Sequence, residues 1–222
     1  MIHTKQERTL ESLQRIRPRS GWKSPLHHSA LVKAMILEGI GRKWVIRFDA
    51  AHLNKDRNEM AASMTLHHMD LLHLGSYNLA IGLLNSNSHE FRPTLFGGVS
   101  SPGKGLGIPL TKIQLGKVTK KFVLGEEVKL AWDEFEKRNQ SFTWTIDKLQ
   151  AEALDPKQAE VPLLKALRIG LMPGSRIGRL LKIYKGKNKW DLLLDFARMA
   201  RMNPALKQMG QVHSFLYDCL GA

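Results

Sequence analysis

The sequence has a single cysteine, Cys219, among 222 residues. An intramolecular disulfide is therefore excluded, and so is a cysteine-based zinc finger. No apolar run approaches the roughly 18 residues that a membrane span needs. Residues 1–13 are polar and mixed in charge, without the apolar core of a signal peptide. These absences point to a soluble protein of a reducing compartment, with the bacterial cytoplasm as the expected location and no membrane partner. Aromatic residues are few, 7% of the chain, and show no base-stacking signature. Acidic residues are scarce as well: 20 Asp and Glu stand against 34 Lys and Arg, a formal net charge of +14.

With 43% hydrophobic residues the chain has enough apolar material for a core, and its length suits one large domain or two small ones. The positive excess is concentrated at the two ends. Residues 1–47 hold ten Lys/Arg and three Asp/Glu, a net of +7, and residues 156–222 hold twelve and four, a net of +8. Residues 48–155 hold twelve and thirteen, a net of −1. Between Val161 and Trp190 there is no acidic side chain. A solvated helix face normally mixes signs, because opposite charges at i,i+4 stabilise it and like charges repel. Arg176/Arg179, Arg179/Lys182 and Lys182/Lys185 are like pairs at i,i+3, a spacing that an anionic partner would relieve.

The hydrophobic pattern predicts an α+β protein. A mixed α/β body with a β-hairpin is expected over 1–150, followed by a small α-helical bundle over 156–222 that contains a helix-turn-helix-like pair. The first 90 residues read mainly as helix, over about 4–16, 26–39, 55–74 and 77–84, with one strand at 43–49. Strands are expected at 108–115 and 120–124, forming the hairpin, and at 142–146, with a helix at 126–138 between them. Helices are expected at 161–171, 175–185, 189–201 and 204–219. Ser175 is expected to cap the second of these and Asn188 the third. Pro204 suits the first helical position after Asn203.

Three local patterns bear on chemistry. Ala166, Gly170 and Leu171 have the small–glycine–apolar spacing of a helix-turn-helix, with a turn longer than usual. The glycine-rich stretch 97–107 contains Gly98-x4-Gly103-Lys104, which matches a phosphate-binding loop until Gly105 replaces the magnesium-holding Ser or Thr. It leads into Ile108-Pro109 rather than a helix, so nucleotide hydrolysis is not expected there. Over a dozen residues this stretch is similar to the glycine loops of RAMP-type CRISPR proteins, with a different order of elements. Finally, His67, Asp70 and His73 would follow one another at i,i+3 on a 55–74 helix, but His67 and His73 would point about 120° apart. No metal, cofactor or catalytic residue is assigned.

The expected function is therefore non-enzymatic nucleic-acid binding, with DNA slightly favoured over RNA. Lys165, Arg168, Arg176, Arg179, Lys182, Lys185, Lys187 and Lys189 would contact phosphates, because each cation placed there releases condensed counterions. Arg15, Arg17, Arg19 and Lys104 form a second tier. Two alternatives remain: an RNA- or DNA-binding subunit of a larger ribonucleoprotein such as a CRISPR-type effector, with other protein subunits as partners, and a metal-dependent nuclease.

Overall fold

The computed structural model describes residues 12–15, 26–53, 58–68, 77–87, 91–100 and 107–200. Helix α1 (His28–Gly41) precedes five strands, β1 (Trp44–Leu53), β2 (Glu59–His68), β3 (Asn78–Ser86), β4 (Thr94–Ser100) and β5 (Ile108–Gln114). Helices α2 (Leu124–Asn139), α3 (Phe142–Ala151), α4 (Pro156–Arg168), α5 (Gly174–Ile183) and α6 (Lys189–Ala200) follow. The strands form one antiparallel sheet in the order β1-β2-β3-β4-β5, a meander that needs no crossover. The chain is α+β, with its helices concentrated in the C-terminal half. It divides into two compact units, one of residues 1–106 and 110–139 and one of residues 107–109 and 140–222.

In the first unit the register places Trp44, Ile46, Phe48, Met60, Met64, Leu66, Ile81, Leu83 and Leu95 on the sheet face that α1 and α2 cover. The layer closes on Trp132 and Phe135 of α2, whose rings meet edge to face at 5.6 Å, with Trp44 stacked against both. Two glycines permit this approach. A Cβ on Gly39 would collide with Ile46 and lie 2.6 Å from Trp132, and one on Gly97 would lie 2.6 Å from the Phe135 ring. Arg42, after the end of α1, donates to Glu38 and Glu136 and pairs with Asp133, while Trp44 Nε1 donates to Glu136. Burial opposes the Arg42 charge, but these three carboxylates outweigh it and raise its pKa further. Asn85 Nδ2 donates to the Leu26 carbonyl at 2.8 Å and lies 2.9 Å from His28 Nδ1, tying the end of β3 to the start of α1.

The opposite sheet face carries Arg47, Ser63, Thr65, Ala80, Gly82 and Gly98 together with the buried apolar Ala61, Leu84 and Phe96. Asp49 forms a bulge between Phe48 and Ala50; it accepts from Arg47 at 3.0 Å and from the buried Thr65 hydroxyl at 2.7 Å. The bulge switches which β1 residues face inward beyond it, since the side-chain period is two.

Several expected elements are replaced. Residues 59–68 and 78–86 are strands, not parts of helices. Met60 and Met64 fit a helical period, yet Met60, Ala62, Met64 and Leu66 also alternate, and sheet pairing on both sides decides between the two. Residues 142–151 form a helix where a strand was expected, because Phe142, Ile146 and Leu149 share one buried helical face while Thr143, Trp144 and Thr145 point elsewhere. The predicted second hairpin strand at 120–124 is absent; β5 pairs with β4 instead, and Gly125 lies in the first turn of α2. Gly97 and Gly98 belong to β4 rather than to a loop. The expected helix at 204–219, with Cys219, lies outside the described residues, as does most of the one at 4–16.

Candidate nucleic-acid interface

The second unit is built from α3–α6, with α3 packed on α6, α4 on α5 and α5 on α6. Helix α4 starts with a reciprocal cap: the Asp155 carboxylate accepts from Gln158 N at 2.8 Å, and the Gln158 side chain accepts from Asp155 N. Pro156 takes the first helical position, where its missing N–H costs nothing. At its other end Gly170 adopts φ +70°, Leu171 N donates to the Ala166 carbonyl and Gly170 N to that of Leu167. This is a Schellman closure, so the Ala166–Gly170–Leu171 spacing is first of all a helix-stop signal. Five residues then separate α4 from α5. Ser175 does not cap α5; the helix begins at Gly174 behind Pro173, with no side-chain cap.

Ile177, Leu180 and Tyr184 are buried, which turns Arg179 and Lys182 outward on α5. The Tyr184 hydroxyl shares its one proton between the backbone carbonyls of Leu154, at 2.8 Å, and Asn188, at 3.1 Å. Burial and the nearby Asp191 carboxylate push its pKa above the ordinary phenol value. Around it, Ala153 and Asn188 form an isolated antiparallel bridge, and Lys189 N donates to Glu152 O. The Lys185–Lys189 segment is thereby held against the linker that precedes α4. Asn188 caps α6 by accepting from Asp191 N at 2.8 Å.

The eight cations predicted over 165–189 divide into two groups. Arg168, Arg179, Lys182, Lys185 and Lys187 are exposed and make no ion pair among the described residues; Lys165 is exposed as well. Arg176 is only half-exposed, and its guanidinium reaches the Met199 carbonyl at 3.5 Å, near the negative end of α6. Lys189 pairs with Glu152, and its hydrogen bond holds that carboxyl below the usual carboxylate range. Arg176 and Lys189 thus have partners within the unit that the sequence did not reveal. Arg15 is exposed, while Arg17, Arg19 and Lys104 lie outside the described residues.

Two surface features escaped the sequence reading. Trp144 on α3 is 66% exposed, with Lys148 Nζ 5.6 Å from its ring centre. On α4, Val161 is 71% and Leu164 46% exposed, opposite the buried Ala159–Leu163–Ala166 stripe. The signal was present as a second apolar stripe on one short helix, Val161 and Leu164, to which the sequence reading gave no role. His67 lies on β2 rather than on a helix, so its helical relation to Asp70 and His73 is lost; both of those lie outside the described residues. Among the described residues no three His, Cys, Asp or Glu side chains are grouped to hold a metal, and no helix is long and apolar enough to cross a membrane. No family profile, curated protein or solved structure matches the chain.

Proposed function

We propose that the chain is a non-enzymatic nucleic-acid-binding protein that grips the phosphate backbone through its helical unit. The observation that carries this reading is the acid-free run 161–190, in which Arg168, Arg179, Lys182, Lys185 and Lys187 stand exposed with no ionic partner among the described residues. Like charges at these spacings repel one another, and a phosphate chain relieves that repulsion while releasing counterions. Arg179 and Lys182 lie on the α5 face opposite Ile177 and Leu180, as a groove-facing or backbone-gripping helix requires. The short α4–turn–α5 pair makes duplex DNA slightly preferable to RNA as the ligand. The exposed apolar residues on α4 favour one further reading, a subunit that also binds protein neighbours in a nucleoprotein assembly.

Replacing Arg179→Glu and Lys182→Glu tests the assignment. Both side chains are exposed, so folding is preserved. Removing two phosphate contacts should lower the slope of log K against log salt by about 2. Affinity for a short duplex, measured by anisotropy between 50 and 200 mM salt, should fall at every concentration. Unchanged affinity and slope would place the footprint elsewhere.

A further inference from the structure

Helix α4 has two stripes of different character. Ala159, Leu163 and Ala166 are buried, and α4 packs on α5. On the opposite side Lys157, Val161, Leu164 and Arg168 follow one another at spacings of four, three and four residues, which places them in one line along the helix. All four are exposed, Val161 and Leu164 conspicuously so.

Phosphate binding does not account for this surface. A hydrated phosphate backbone gains from cations but gains nothing from aliphatic side chains, and α5 presents the cleaner basic face. Two aliphatic residues between flanking cations, at heptad-like spacing, are instead what one helix offers another in a short paired-helix contact. The charge selects the partner. Lys157 and Arg168 bracket the apolar pair, Glu160 and Lys165 border it on either side so that the rim stays net positive, and the whole chain carries +14, which disfavours a second copy of itself.

We propose that this outward stripe of α4 docks an acidic amphipathic helix of a partner protein. Its aliphatic residues cover Val161 and Leu164, its carboxylates flank Lys157, and at Arg168, the one residue shared with the phosphate-gripping set, they take the place of a phosphate. Thirteen residues of α4 extend about 20 Å, so the partner contributes three or four turns. A contact this short lies below the area of stable complexes, and a dissociation constant on the order of tens of micromolar is expected.

The test uses the full chain and a fluorescent 18-residue probe peptide with Leu at heptad a and d positions and Glu beside them. A Lys-for-Glu version and a scrambled acidic version serve as controls. The acidic amphipathic peptide should bind at least tenfold more tightly than either control. A Val161→Ser, Leu164→Ser variant should lose at least tenfold for the peptide while retaining its affinity for duplex DNA. The proposal is overturned by failure of the acidic peptide to bind below 1 mM, by equal binding of the scrambled peptide, or by a double-serine variant that binds undiminished. Because the peptide and DNA are measured separately, loss of the nucleic-acid reading would leave this result interpretable, and the converse holds.

Discussion

At the scale of single residues, Tyr184 shows how a polar group is used inside the helical unit. Its ring is buried while its hydroxyl lies within hydrogen-bond reach of the Leu154 and Asn188 carbonyls. Because its folded pKa is raised, the unfolded chain releases this proton first as the pH rises. The stability linked to Tyr184 is therefore complete below about pH 10 and is lost as the pH climbs through the folded value. Tyr184→Phe should cost about 1 kcal/mol at neutral pH through the lost hydrogen bond. Urea midpoints between pH 9 and 11 should then fall less steeply for the variant than for the wild type; parallel curves would contradict the assignment. Nothing local to Tyr184, which ends α5, indicated that its hydroxyl would reach the carbonyls of two separate linkers.

At the scale of elements, glycine does its work through packing as much as through turns. Gly97 looked like part of a phosphate-approaching loop, whereas it lies in β4 and lets the Phe135 ring of α2 rest against the sheet. A methyl group there would meet the ring at 2.6 Å, with Thr111 Cγ2 at 2.9 Å on the same side. Gly97→Ala should destabilise the protein by about 1–3 kcal/mol, the usual cost of overpacking a core. Thermal melts would register this as a lower midpoint, and pairing it with Phe135→Leu should recover part of the loss. Elements with local instructions were legible: α2 has acidic residues in its first turn and basic ones in its last, and Asn188 caps α6 as expected, whereas α4 starts at Pro156 behind its Asp155 cap, five residues before the expected start at 161. Strands β2 and β3 were not legible, because apolar and buried residues on both faces mask the alternation of Met60, Ala62, Met64 and Leu66, and their Met, Ala and Leu residues favour helix intrinsically.

At the scale of the whole molecule, the dominant quantity is net charge. With +14 to accommodate, folding works against self-repulsion that counterions screen. The melting temperature should accordingly rise as sodium chloride increases from 10 to 150 mM. An unchanged or falling temperature would show that the cations are already compensated within the fold. The amino-acid sequence alone determined the charge, its concentration over 161–190, the α+β class and the Asn188 cap of α6. These depend on composition or on residues within a few positions of each other. Only the tertiary structure decided that 59–68 and 78–86 pair as sheet, that Arg176 and Lys189 turn toward partners within the helical unit, and that Val161 and Leu164 remain outside. Each of those outcomes depends on what the folded chain places against a side chain, and helical or strand periodicity carries no record of that neighbour.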